Sequence, residues 1–139
     1  MSKMSHMSKQ FQSGRYGLCL VVVLCLLLSS LALSHGKDLG STTLELREKL
    51  SQAQKDLGTA LYYTSAYRPP THPIEALKPQ PGTHARGVAV DIACNGTFIS
   101  CDTIYTYAKT RFDGIGRYDT HIHLDLRGYP ARWDQRSKE

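Results

Sequence analysis

A histidine and an aspartate seven residues apart, His84 and Asp91, carry the clearest chemical signal in this sequence. Residues 88–90, which lead to the aspartate, are small or β-branched and predict a strand. Gly87 permits a tight turn into that strand, so the side chain of His84 can approach the Asp91 carboxylate. Imidazole and carboxylate groups are common zinc ligands. The pair therefore predicts part of a metal site.

A second group of polar side chains follows later in the chain, where residues 121–126 alternate strictly between polar and apolar types. In a strand, this alternation places His121, His123 and Asp125 on one face. One imidazole from that face, added to the first pair, gives three protein ligands. Three nitrogen or oxygen ligands with one open position are typical of a catalytic zinc ion.

Four segments of the sequence, taken in chain order, form a longer pattern. They are Ser65–His72, the spaced set His84-x-x-Gly87-x-Ala89-x-Asp91, the glycine-rich Gly114–Tyr118, and the strand with His123-x-Asp125. Together they resemble the M15 family of zinc peptidases, which includes D-alanyl-D-alanine carboxypeptidases, dipeptidases and murein endopeptidases. The resemblance covers roughly residues 42–133 and is specific, because all four segments occur in the family's order.

The resemblance implies a fold, a cofactor and a ligand set. The fold is α+β, with a small, mainly antiparallel sheet flanked by two helices, as in hedgehog domains and D,D-peptidases. The cofactor is one Zn²⁺ ion, held by His84, Asp91 and His123. The implied activity is hydrolysis of peptidoglycan stem or cross-link peptides by a water molecule that the metal activates.

Two further side chains resemble functional residues of the family. Arg68 stands where the family has an arginine that meets a carboxylate or carbonyl of the substrate, and a guanidinium fork suits that task. His121 stands two residues before the last ligand, where some members carry a histidine that assists the transition state. The resemblance therefore implies a catalytic role for both, and the alternative for Arg68 is a salt bridge to a nearby acid.

The general base is the point at which this sequence departs from the family pattern. Relatives have an acid three residues before the last ligand, whereas this chain has Thr120, whose hydroxyl does not take up a proton at neutral pH. The candidates are Asp119, His121 and Asp125. We expect Asp119 to be the base if a bulge turns it toward the ligand face. Asp125 has the alternative role of orienting His123.

The first 34 residues have the features of a secretory signal peptide. A polar, positive start precedes an unbroken apolar run of eleven residues, Leu18–Leu28, and Ala32 and Ser34 are the small residues of a cleavage site. The alternative is an uncleaved membrane anchor over residues 17–33. We expect export to the periplasm or the cell exterior, or anchoring in the inner membrane. The predicted parts are a leader (1–34), a linker (35–41) and a peptidase domain (42–139).

Net charge and cysteine content indicate which partners and which cellular compartment this protein has. The net charge of +5 falls to +2 without the three basic residues of the leader, so a nucleic-acid partner is not expected. Cys94 and Cys101 are the cysteines that follow the leader, and an even pair in an exported protein predicts a disulfide. We expect a monomer that meets a membrane only through an uncleaved leader.

Periodicity and turn residues predict the elements that position these groups. Apolar residues at three- and four-residue steps predict a helix over 43–57, capped by Ser41 or Thr42 and ended by Gly58. Prolines predict a loop over 69–83, which leads into His84. The other predicted elements are strands over 60–67 and 88–93, a turn at Asn95-Gly96, a short strand or extended arm over 98–101, a helix from Asp102 or Thr103 to 112, and a hairpin of 115–118 with 121–127.

Two other functions are compatible with the sequence. The missing acid at Thr120 leaves a non-catalytic, zinc-stabilised binding module as one alternative, of the kind found among hedgehog signalling domains. A retained leader would instead give a membrane-anchored accessory protein. We favour the exported peptidase, and an endopeptidase over a carboxypeptidase.

Overall fold

The computed structural model describes residues 38–94 and 99–138, and all of them belong to one compact unit. The predicted leader, the start of the predicted linker, the turn expected at Asn95-Gly96 and the first residue of the arm expected over 98–101 lie outside the described residues. Among the helices that are described, none is long and apolar enough to cross a membrane.

The described residues form three helices, α1 (Leu44–Leu57), α2 (Pro73–Ala76) and α3 (Cys101–Ala108). At the start of α1 the N–H of Leu46 donates to the side chain of Thr43, and at its end Gly58 adopts a φ of 65°. This left-handed conformation favours glycine. The first predicted helix is therefore confirmed, with its cap slightly later than expected.

Five strands form one sheet in the order β1-β2-β4-β3-β5. They are β1 (Tyr63–Ser65), β2 (Ala89–Ala93), β3 (Gly114–Arg117), β4 (His121–Asp125) and β5 (Ala131–Asp134). Every pairing is antiparallel except that of β3 with β5. The α+β fold with a small, mainly antiparallel sheet is therefore confirmed.

Three elements differ from the sequence-based expectation. The proline-rich stretch contains the short helix α2, because Pro73 suits a first helical turn and His72 caps it. Helix α3 begins at Cys101 rather than after it, since the Ser100 side chain accepts a hydrogen bond from the N–H of Thr103, and it ends at Ala108 rather than at residue 112. The edge strand β5 lies beyond the last predicted element, in a segment for which no strand was predicted.

The central strands β2 and β4 give the sheet one apolar and one polar face. The buried apolar pairs across them are Val90 with Leu124 and Ile92 with Ile122. These side chains join the core that Leu46 of α1 and Ile104 of α3 also enter. On the other face Asp91 lies opposite His123 in the strand register. The alternation therefore separates the core from the polar groups.

The predicted disulfide between Cys94 and Cys101 is present. It joins the residue after β2 to the first residue of α3. The half-cystine at position 94 is almost fully buried in the core. The disulfide therefore links the strand that carries Asp91 to the helix packed behind the sheet.

Candidate metal site

Three buried side chains converge on the polar face of the sheet. The Nε2 atom of His84 lies 3.2 Å from Nδ1 of His123 and 3.3 Å from Oδ1 of Asp91, and the last two atoms are 2.9 Å apart. These three side chains form a group that could hold a metal ion. The structure thus brings together the three residues predicted as ligands. That they bind a metal is still a prediction.

The strand register and a tight turn place these side chains. Antiparallel pairing of β2 and β4 puts Asp91 directly opposite His123. His84 lies in a turn closed by a hydrogen bond from the N–H of Gly87 to its carbonyl oxygen, at 3.1 Å. Gly87 has a φ of 71°, and a Cβ there would lie 2.9 Å from the Ser41 carbonyl oxygen. Both facts require glycine at position 87.

The remaining nitrogen of each histidine fixes its tautomer. The Nδ1 atom of His84 lies 2.6 Å from the carbonyl oxygen of Ala66, which can only accept a hydrogen bond. The Nε2 atom of His123 lies 2.8 Å from Oδ2 of Asp125. Both nitrogens therefore donate, and the lone pairs of the other two nitrogens face Asp91. Such outer hydrogen bonds are typical of histidines that bind metals.

The donor set fits zinc. Two lone pairs and one carboxylate oxygen would meet at about 3 Å with no hydrogen between them, which is unfavourable unless a cation lies there. Zinc bonds of about 2.1 Å in a tetrahedron separate neighbouring ligand atoms by roughly 3.4 Å, close to the observed spacing. One oxygen and two nitrogens also leave a fourth position open.

A proton is the other cation that this place can accept. Burial lowers the pKa of His123, but hydrogen bonds to Asp125 and Asp91 outweigh burial and raise it. Burial likewise opposes the ionisation of Asp91, yet hydrogen bonds to His123 and His84 hold the pKa of that carboxyl well below its usual range. A metal ion and a proton would therefore compete for Nδ1 of His123.

The three side chains open into a polar cleft of about 290 Å³. Other side chains lining it are Arg68, Lys78, Tyr118, His121, Arg127 and Trp133. Arg68 donates from NH2 to Oδ2 of Asp91 at 2.7 Å and from Nε to Oγ of Ser65 at 2.8 Å. The guanidinium thereby orients Asp91 so that Oδ1 faces the two histidines. Arg68, which was predicted to be catalytic, lies in the cleft.

His121 also lies in the cleft, against an aromatic support. Its ring stacks on that of Tyr118, with centroids 4.3 Å apart and planes inclined by 8°. The Tyr118 hydroxyl accepts a hydrogen bond from Nε1 of Trp133 at 3.0 Å. Burial lowers the pKa of His121 and outweighs the nearby Asp91 carboxylate, which raises it. The imidazole is therefore neutral at pH 7 and can accept a proton.

The structure does not bring Asp119 into the cleft. Its carboxylate, in the turn between β3 and β4, accepts hydrogen bonds from the backbone N–H of Ser137 at 3.0 Å and from its hydroxyl at 2.7 Å. The expected bulge toward the ligand face does not occur, because these donors on the C-terminal tail hold the carboxylate elsewhere. Asp125, fully buried behind His123, orients that ring.

Sequence reasoning missed Trp133, Arg127 and Lys78. Trp133 comes from β5, and a Cβ on Gly116 would overlap its indole ring. Arg127, to which the sequence analysis gave no role, lines the cleft and binds Asp125 through Nε at 2.9 Å and NH2 at 2.5 Å. Residues at every second position from His121 to Asp125 lie on one face of the strand. Extending this alternation by two residues would have predicted that Arg127 lies on the same face.

A family model described as Peptidase M15 matches residues 22–125, which include all three converging side chains. Neither the curated proteins nor the solved structures contain a match to this chain.

Proposed function

Because this chain belongs to the peptidase M15 family, whose members are zinc-dependent metallopeptidases, we propose that it is an exported zinc peptidase that cleaves peptidoglycan peptides. One observation carries the proposal. The facing atoms of His84, Asp91 and His123 lie 2.9 to 3.3 Å apart at one end of an open cleft. That arrangement suits a metal ion that must also meet a substrate.

The chemistry divides between the metal and the side chains around it. When bound, zinc lowers the pKa of a water molecule to near 7 and polarises a carbonyl group. His121, which is neutral at pH 7, accepts a proton in the cleft and delivers it to the leaving amine. Arg68 fixes Asp91 and presents the rest of its guanidinium to a carbonyl or carboxylate of the substrate. We thus assign the role of base to His121 instead of Asp119.

Export and a cell-wall substrate have separate support. The leader predicted over residues 1–34 is the argument for export. The Cys94–Cys101 disulfide agrees with it, because disulfides persist in oxidising compartments. A cleft that is polar and open suits a peptide better than an apolar ligand. Peptidoglycan is the exported peptide polymer that the family resemblance implies.

A specific observation favours one other function. Of the described residues that line the cleft, Asp91 is the only carboxylate, and it already faces the two histidines. A site without a separate acid suits a zinc-stabilised binding module that performs no hydrolysis. The two functions differ in whether His121 can serve as a base.

Digestion of purified murein by the zinc-loaded protein tests the proposal. We expect soluble peptides to be released, and His121→Ala to lower the rate about 100-fold or more while zinc content is unchanged. Asp119→Ala is the matched control and should leave the rate near that of the wild type, since its carboxylate binds Ser137 outside the cleft. A wild type that binds zinc but releases no peptide would establish the binding module.

A further inference from the structure

Three ion pairs at the cleft share one arrangement, in which the acid is buried and the base faces the opening. The pairs are Arg68–Asp91, Lys78–Glu75 and Arg127–Asp125. The acidic side chains are 10%, 1% and 0% exposed, and the basic side chains are 18%, 38% and 19% exposed. Each pair is neutral in sum, but its basic side chain is the more exposed of the two. An approaching ligand therefore meets a positive surface.

Lys78 differs from the two arginines in how fully its donors are used. Arg68 binds both Asp91 and Ser65, and Arg127 holds Asp125 through two nitrogens. The ammonium group of Lys78 has three N–H donors, and among the described residues its hydrogen bond goes to Oε1 of Glu75 at 2.7 Å. Since it is also the most exposed of the three bases, Lys78 has the greatest capacity to bind a ligand.

Buried Glu75 fixes the position of that ammonium group. Its Oε1 atom accepts from Lys78 and lies 4.0 Å from NH1 of Arg68, while Oε2 accepts from the N–H of Gly82 at 3.1 Å. A Cβ on Gly82 would lie 2.6 Å from Nζ of Lys78 and 2.7 Å from Oε2 of Glu75. The ion pair thus packs directly on the backbone that leads to His84.

We propose that Lys78, held at the cleft by Glu75, is a specificity-determining residue that binds a carboxylate of the peptide substrate. The inference rests on the proposed function and names a feature of its substrate: a negative charge near the bond to be cleaved. A lysine ammonium, as a compact point charge on a flexible stem, suits a carboxylate whose orientation varies. A pre-positioned ammonium also loses less side-chain freedom on binding than a mobile one.

Binding to the metal-free protein tests this role without any turnover. The probe is the stem peptide L-Ala-γ-D-Glu-L-Lys-D-Ala-D-Ala, prepared with both carboxylates, with an amidated C-terminus, and with the α-carboxylate of D-Glu amidated. Isothermal titration calorimetry gives the Kd of each form. We expect Lys78→Gln to weaken binding of the dicarboxylate about three- to tenfold and Lys78→Arg to retain most of it.

The amidated peptides identify which carboxylate is bound. The form that lacks the relevant carboxylate should bind the wild type and Lys78→Gln equally, whereas the other form should still distinguish them. Lys55→Gln, on the exposed end of α1, is the control with the same change in charge. The inference fails if both glutamine variants weaken binding alike, if Lys78→Gln has no effect, or if the dicarboxylate does not bind the wild type.

Failure of this inference can be told apart from failure of the proposed function. If Lys78→Gln digests murein as well as the wild type does, the protein is a peptidase but Lys78 does not determine its specificity. If peptide binding depends on Lys78 but the zinc-loaded protein digests no murein, Lys78 binds a carboxylate and the proposed peptidase activity is wrong.

Discussion

Replacing His84 by alanine is expected to lower zinc affinity by more than about 100-fold and to reduce murein digestion to background. Loss of an outer hydrogen-bond partner of a zinc ligand already costs 10- to 100-fold, so loss of a ligand should cost more. The variant removes the Nε2 lone pair and leaves Asp91 and His123 2.9 Å apart. Titration with a zinc chelator gives the affinity, and release of soluble peptide gives the rate.

Stability measurements show whether the His84 effect is local. Without metal, His84→Ala loses the hydrogen bond to Ala66 but also relieves the close approach of the facing polar atoms, so its Tm should stay near that of the wild type. Zinc should raise the Tm of the wild type but not that of the variant. His72→Asn, which keeps a side-chain cap on α2, is the matched histidine control and should bind zinc normally. Full zinc affinity in His84→Ala would exclude it as a ligand.

The second large effect is expected for Asp125→Asn. The Asp125 carboxylate is fully buried between Nε2 of His123 and the guanidinium of Arg127. Both groups meet Oδ2, and Nε of Arg127 also donates to Oδ1, so the NH₂ group of an asparagine would face either Nε of Arg127 or both donors at the Oδ2 position. We expect zinc affinity to fall about 10- to 100-fold and the free energy of unfolding to fall by about 2 kcal/mol.

An exposed copy of the same geometry provides the control for Asp125→Asn. Asp134 accepts hydrogen bonds from Nε of Arg136 at 2.9 Å and from its NH2 at 2.6 Å. As in the Asp125–Arg127 pair, the arginine lies two residues after the aspartate and donates through the same two nitrogens. Because that pair is exposed, Asp134→Asn should change neither zinc affinity nor urea unfolding measurably. Equal effects of the two substitutions would show that Asp125 does not act by orienting His123.

Local periodicity predicts which face of the sheet carries the candidate metal ligands, and the resemblance to the M15 family selects His123 rather than His121 from that face. Alternation in residues 121–126 separates His123 from the core, and the apolar run before Asp91 makes that segment a central strand. Pairing of β2 with β4 then sets the two side chains opposite each other. Gly87 indicates the turn that brings in His84, so short segments predict where these side chains lie, whereas their role as ligands comes from the family resemblance.

Other parts depend on contacts that no local pattern records. Asp119 turns away from the cleft because Ser137, from the C-terminal tail, supplies its donors. Strand β5 pairs in parallel with β3, and its Trp133 contributes to the cleft; residues 131–134 do alternate in polarity, but so short a run does not identify β3 as the partner strand. The prolines in residues 69–83 predict a loop, so neither α2 nor the role of its buried Glu75 in positioning Lys78 was predicted.

Zinc K-edge X-ray absorption of the zinc-loaded protein tests the central claim most directly. One zinc per chain should show a shell of nitrogen and oxygen at about 2.0–2.2 Å, with multiple scattering from two imidazoles and no sulfur. That result would agree with ligation by His84, Asp91 and His123. A sulfur contribution, scattering from a single imidazole, or the lack of stoichiometric zinc would contradict it.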